Sequence, residues 1–320
     1  MLQLVEQEYC WGQHQKDIMA EAYPDLINKL YVVGNLRLDL LREKFTILYK
    51  DEAKQIGAKY GKFILINTRF PLYNTIKGKK ENIPLKFKHI QDLYEHFIEM
   101  TGIIGEVFPR TNIIVRPHPM EDFTSYERAF SSYPNIHVVH EGNIIKWLLA
   151  ADIIIHNGCT SGIEGFLLEK PIISYLPLGS IENENELPNQ VGIAARSIEE
   201  LCASVKGVSR SKYLPVALYN KNRDRTDKGL DYYCQFSKEK YAYELILELC
   251  SNIKVPRSIS GKNKKLKQIH YKKKRKRSFS TSEMEIRNFF KKLEVIEGNK
   301  SLIHIDKLGN NLYFLHLKNI

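Results

Sequence analysis

The chain has 320 residues, of which 43% are hydrophobic and 27% charged. That is ordinary for a soluble globular protein of one large or two modest domains, and no apolar run approaches the roughly 20 residues of a membrane-spanning helix. The net charge of +11 is concentrated in residues 261–278, "GKNKKLKQIHYKKKRKRS", which hold ten Lys and Arg and no acid, so the basic balance belongs to a segment and not to the fold.

The N-terminal stretch "MLQLVEQEYCWGQHQKD" has no basic region followed by an apolar one, and a signal peptide is not expected. Five cysteines, odd in number and scattered, do not form a disulfide framework, and a reducing cytoplasm is the expected setting. No CxxC pair supports a structural zinc site, and no metal is called for.

Residues 1–45 read as helices around a short strand, "KLYVVGN". From about residue 61 the pattern is regular. "KFILINT" is a strand, and "NIPLKFKHIQDLYEHFIEMTGIIGEVF" is mostly helix. "TNIIVRPHP" is a strand that breaks at its prolines, and "FTSYERAFSSYP" is a helix. "NIHVVHE", "DIIIHNG" and "PIISYLP" are strands. They are separated by the helices "NIIKWLLAA" and "TSGIEGFLLEK", and "SIEELCASVKGV" is a last helix. The strands are near-continuous apolar runs alternating with helices. That predicts a doubly wound α/β domain over residues 46–250, its parallel sheet covered on both faces. Residues 251–280 read as a basic linker. Residues 281–320 read as a helix with a Thr or Ser N-cap followed by a β-hairpin around "LGNN".

In such a sheet, ligands bind beyond the carboxyl ends of the strands. Polar residues from four strand ends are expected there. They are Asn67, Thr68 and Arg69; Arg116, His118 and Glu121; His156, Asn157, Cys159, Thr160, Ser161 and Glu164; and Tyr175 with Pro177. In "HNGCTSGIEG" small hydrogen-bonding residues precede a helix, whose N-terminus suits a phosphate. The alternative is a helix capped by Ser161 with Glu164 at the capping-box position, and both can hold. In "RPHP", two prolines stiffen a loop that presents Arg116 and His118 to an anion, or simply make a rigid turn. Arg69 either closes over the phosphate or pairs with a surface acid. Cys159 with His156 as a nucleophilic pair is a minor reading, and Trp147 is expected to pack with its edge at the site. The absence of GxGxxG and GxxxxGK[ST] argues against an NAD site or a P-loop. The basic run can attract an anionic membrane surface or serve as a solvated linker. Tyr271 and Phe279 are its only interleaved aromatics, a weak signal for nucleic acid.

The segments "VVGNLRLDLLR", "FILINTRF", "VRPHPMED" and "WLLAADIIIHNGCTSGIEGFLLEKPIISYLP" resemble the bacterial surface carbohydrate biosynthesis protein family. More distantly they resemble HP-motif transferases: capsular Kdo transferases, polysialyltransferases and CDP-glycerol glycerophosphotransferases. The resemblance covers about residues 9–200. It implies a GT-B fold of two Rossmann-like domains, of which this chain carries the C-terminal one. The N-terminal domain is largely missing, and residues 1–45 are its remnant with the interdomain segment.

The resemblance further implies a nucleotide-sugar donor, CMP-linked by preference, and no other cofactor. His118, Thr160 and Ser161 would hold the donor phosphate, Glu164 would reach the ribose, and the loop from Tyr175 to Leu178 would lie near the base. The acceptor is a saccharide or lipid-linked sugar, and the setting is the cytoplasm or the inner face of the membrane. The catalytic base would lie in the missing domain, so no catalytic residue is named; the chain would be a truncated product, half of a split gene, or a donor-binding half completed by a partner chain. Transfer from CDP-glycerol, a non-catalytic nucleotide-binding subunit and a sugar epimerase are the other readings.

Overall fold

The computed structural model describes residues 4–73, 85–179, 187–210, 229–236, 239–253, 281–298, 303–309 and 312–317. The basic run 261–278, Tyr271, Phe279 and most of the expected linker lie outside the described residues.

The chain opens with two short parallel strands, β1 (Glu8–Cys10) and β2 (Leu30–Val32), joined through α1 (Gln13–Ala22) and a 3-10 turn (Pro24–Lys29). The stretch "GNLRLD" then fastens this segment to the rest. Gly34 takes a left-handed φ of +91°. A Cβ there would lie 2.9 Å from the Gln235 carbonyl oxygen, so only glycine fits. The Asn35 side chain caps α2 (Leu36–Asp39) by accepting the Arg37 N–H at 2.9 Å. Buried Asp39 accepts the Tyr243 N–H at 3.2 Å.

After α3 (Glu43–Tyr60), β-strands and helices alternate as the sequence predicts. The order is β3 (Phe63–Asn67), α4 (Leu85–Val107), β4 (Asn112–Arg116), α5 (Phe123–Ala129), β5 (Ile136–Val138), α6 (Ile144–Ala150), β6 (Ile153–His156), α7 (Thr160–Leu167) and β7 (Ile172–Tyr175). A short α8 (Leu187–Gln190), β8 (Ile193–Ala195) and α9 (Ile198–Arg210) follow. The six strands form one parallel sheet in the order β5-β4-β3-β6-β7-β8. β8 is a strand the sequence reading lacks, because "IAA" offers no apolar run.

The strands are buried on both faces, which is why their sequences do not alternate with polar residues. Ile64, Ile66, Ile113, Val115, Ile155 and Tyr175 meet Phe97, Met100 and Ile104 of α4 on one face. Phe63, Leu65, Ile114, Ile154 and Ile172 meet Trp147 of α6 and Ile163 and Phe166 of α7 on the other.

The C-terminal part adds α10 (Ala242–Ser251), α11 (Glu283–Glu297) and the antiparallel hairpin β9 (Ile303–Gly309) and β10 (Leu312–Leu317). Ser282 caps α11 in a full capping box with Glu285, as the Thr/Ser signal predicts. Leu293 and Ile296 of α11 join the cluster of Leu38, Phe45 and Leu48, so this helix lies on α3.

Trp147 is 1% exposed and donates its Nε1–H to the Glu141 carbonyl at 3.0 Å. Trp147→Ala removes the largest side chain beneath α6 and is expected to cost about 3 to 5 kcal/mol. A lower urea midpoint at neutral pH is the readout. An unchanged midpoint would show that Trp147 does not carry this layer of the core.

Candidate functional site

The strand order reverses between β3 and β6, the point at which an open α/β sheet offers a crevice. Asn67 and His156 are in-register partners at that point. The loops after β3, β4 and β6 meet above it around two adjoining cavities, one of about 710 Å³ and one of about 430 Å³. His118, Cys159 and Thr160 line both. Of the residues expected from sequence, Asn67, Thr68, Arg116, Ser161 and Glu164 line the larger cavity and Arg69 the smaller.

Glu121, 3% exposed, ties two of these loops together. Its carboxylate accepts from Thr68 Oγ1 at 2.9 Å, the Phe70 N–H at 2.7 Å, the His118 N–H at 3.2 Å and the Tyr126 hydroxyl. Burial raises its pKa and the four donors oppose the rise. The sequence placed Glu121 in the crevice, whereas the structure gives it to the loops. His118 rides on this frame. Its Nδ1 accepts the Met120 N–H at 3.2 Å, so a neutral ring carries its proton on Nε2, the nitrogen left to a ligand.

Two arginines behave differently from expectation. Arg116 is buried and donates to the Glu141 and Gly142 carbonyls at 2.7 and 2.6 Å. Its guanidinium lies 5.8 Å from the Trp147 ring centroid, and burial, opposed by the nearby Glu141 carboxylate, lowers its pKa to about 10. Two of its donors thus shape the loop after β5 and are not free for a phosphate. Arg69 donates to the Gly158 carbonyl and so bridges the crevice from β3 to the loop after β6.

The loop after β6 is held from both sides. Asn157 Nδ2 donates to the Tyr175 carbonyl at 2.7 Å, and the Gly158 N–H donates to Asn189 Oδ1 at 2.6 Å. Gly158 has φ of +57°. Cys159 is the N-cap of α7, and no side chain caps the helix. Ser161 therefore lies inside the first turn and the expected capping box with Glu164 does not form. Ser161 Oγ instead donates to Cys159 Sγ at 3.0 Å. The positive end of α7 opens on the cavities through Thr160 and Ser161.

The glycines of "SGIEG" have a packing cause. A Cβ on Gly162 would lie 2.3 Å from His156 Nε2, and one on Gly165 would lie 2.6 Å from Ile172 Cδ1. His156 is fully buried, with Nε2 3.3 Å from Ser174 Oγ. It supports the helix from below rather than lining a cavity. Burial pushes the Cys159 thiol up, which opposes a nucleophilic Cys159–His156 pair.

Tyr175 is corrected outright. Its ring is 2% exposed and packs 5.5 Å from Phe97 on the α4 side of the sheet, and its hydroxyl is pushed up to about 12 by burial. Only its carbonyl serves the site. Trp147 likewise sits within the core beneath Arg116.

Two residues of the larger cavity's wall carry a buried polar atom without a partner: Asn67 at Nδ2 and Glu164 at Oε2. The other Glu164 oxygen meets Arg37 Nε at 2.5 Å. Sequence reasoning missed Arg37, Asn35, Asn189 and Glu285. The cap signal in "GNLRLD" was the only trace of the first two. Among the described residues no group of three His, Cys, Asp or Glu side chains is placed to hold a metal ion.

His156 makes the site's stability pH-dependent. Burial lowers its pKa from 6.5 to about 4, so the unfolded chain takes up the proton first as pH falls. Stability present above pH 6.5 is lost on the way to pH 4, by about 3 kcal/mol. Urea titrations of wild type and His156→Gln between pH 7.5 and 4 test this, and the variant should lose that part of the slope. Gly162→Ala forces its methyl against the same ring and should destabilise by roughly 1 to 3 kcal/mol, seen as a lower melting temperature.

No family model matches the sequence, and no curated protein matches it. Solved structures do. The wall teichoic acid polymerase TagF, in a structure of a variant soaked with CDPG, is similar at TM-score 0.50 and 13% identity over 78% of this chain and 59% of that one. The UDP-GlcNAc 2-epimerase of Methanocaldococcus jannaschii gives 0.48 and 15% over 78% and 63%. The Neisseria meningitidis epimerase bound to UDP-GlcNAc gives 0.47 and 15% over 78% and 62%. The chain thus spans about six-tenths of the length of the structures it matches. With the six-stranded parallel sheet in this order, the likeness to TagF gives the chain a GT-B-type α/β fold.

Proposed function

We propose that this chain binds a nucleotide-linked donor through its phosphate, as the donor-binding half of a glycosyltransferase of surface polysaccharide synthesis. The observation that supports this most is one convergence. The uncapped N-terminus of α7, His118, and Asn67 and Glu164, each with a buried polar atom lacking a partner, all border a cavity of about 710 Å³.

In this reading the donor phosphate lies at Thr160 and Ser161, where the helix dipole and hydroxyls favour an anion. His118 donates its Nε2–H to a phosphate oxygen and stabilises charge on the leaving nucleotide. Glu164 takes the ribose. CMP-linked donors are preferred, as the sequence resemblance implies. The run 261–278 holds the protein at an anionic membrane surface near a lipid-linked acceptor. No helix among the described residues is long and apolar enough to cross a membrane.

A second reading is transfer of a small phosphoalcohol from a CDP-linked donor. The TagF structure soaked with CDPG suggests it, and the smaller cavity beside His118 and Thr160 suits a small transferred group. Donor preference separates the two.

Calorimetric titration of CMP, CDP, UDP and ADP into the purified chain, and into His118→Ala and Ser161→Ala, tests the proposal. A cytidine nucleotide should bind best, and each substitution should weaken it by about 1.5 to 3 kcal/mol. If a chain shown to be folded binds none of them, the donor-site proposal falls.

A further inference from the structure

Glu164 is 2% exposed, and its two oxygens differ. Oε1 is held by Arg37 Nε at 2.5 Å, and Oε2 is buried, has no partner and belongs to a residue of the larger cavity's wall. A buried carboxylate oxygen without a donor is costly, and the ordinary remedy is a ligand or water that supplies one. Arg37 reaches Glu164 from α2, 127 positions away in the chain, with more than half of its side chain exposed. Its place there is fixed by the Asn35 cap and by Gly34. The guanidinium does two things. It neutralises charge beside the carboxylate, and it occupies one oxygen, which leaves Oε2 alone to accept a further donor.

We propose that Arg37 is a positioning residue. By pinning Oε1 it turns Glu164 Oε2 into a dedicated acceptor for a vicinal diol, the ribose of the bound nucleotide. This rests on the nucleotide reading above. The geometry along α7 agrees with it. Glu164 is three residues beyond Ser161, a rise of about 4.5 Å, so a ligand anchored by phosphate at the helix N-terminus has its next group, not the phosphate, nearer the carboxylate. The segment 34–39, which shares the wall of the same cavity, thereby contributes to ribose recognition through Glu164.

The test compares CMP, UMP, AMP and GMP with their 2′,3′-dideoxy forms by calorimetry. The proteins are the full chain, Arg37→Ala, Arg37→Lys and the milder Arg37→Gln, each checked for folding by thermal unfolding. Wild type should prefer the ribonucleotide by about 10-fold or more, the range for a hydrogen bond to a charged acceptor. Arg37→Ala should bring that preference down to about 2-fold or less while dideoxynucleotide affinity stays the same, and Arg37→Lys should restore part of it. Arg37→Gln replaces Arg37→Ala if the latter does not fold. A merely structural Arg37 would weaken both ligand forms equally, and that result overturns the proposal. So does a wild-type chain that binds nucleotide without preferring the ribose form, which leaves the nucleotide reading intact. If no nucleotide binds the wild-type chain at all, that reading and this inference fall together.

Discussion

The loops after β3 and β4 depend on how one buried carboxylate is satisfied. Glu121 sits where three elements would otherwise leave donors unpaired: the loop after β3, the loop after β4 and α5. Burying a carboxylate is costly unless several donors surround it. Here the donors are two backbone N–H groups, a threonine hydroxyl and a tyrosine hydroxyl, all neutral. The net effect is a carboxyl whose pKa stays above its ordinary value. No cation is used, so the positive groups at the crevice are left for other work. Thr68 and His118 are consequently held at a fixed spacing before any ligand arrives, which is the condition for an anion site that need not reorganise on binding.

The same economy appears among the arginines. Three guanidinium groups border the crevice, and each is fastened to a different element. Arg116 secures the loop after β5, Arg69 the loop after β6, and Arg37 the carboxylate of α7. In the proposed donor site a phosphate would therefore be met mainly by α7's dipole and His118 Nε2, within a frame that the arginines hold in shape. This reverses the weight that a reading of charges in sequence places on Arg116.

How far the sequence discloses this depends on the distance over which a cause acts. Five strands of the sheet were legible because each is a run of Ile, Leu or Val bounded by a helix signal. β8 was not, since three small residues at a sheet edge look like loop. Tyr175 failed for a related reason. A strand buried on both faces has no polar alternation to say which residues point which way, and Tyr175 shares its face with Ile173, toward α4. His118, Thr160 and Ser161 were legible because proline, hydroxyl and helix signals are local. Glu164 was legible as a residue of the crevice wall, but its partner was not. The Arg37–Glu164 pair spans most of the domain, and only folding brings it together.

The run "HNGCTSGIEG" poses the question of why a joint should carry so many small residues. An anion site is a sufficient reason but not the first one. Gly162 is small because the fully buried His156 ring lies against it, and Gly165 because Ile154 and Ile172 do. Gly158 turns the chain in a left-handed conformation. Each of these is a packing requirement that holds with or without a ligand. Their joint effect is to seat α7 close against the ends of β6 and β7, beginning directly above the switch point. A helix that starts so close to the sheet, after a turn tied down by Asn157 and Asn189, has no side chain left to cap it. Its open positive end is therefore a consequence of tight packing beneath it. That is why a stretch selected for close approach of helix and sheet also has the chemistry of a phosphate site.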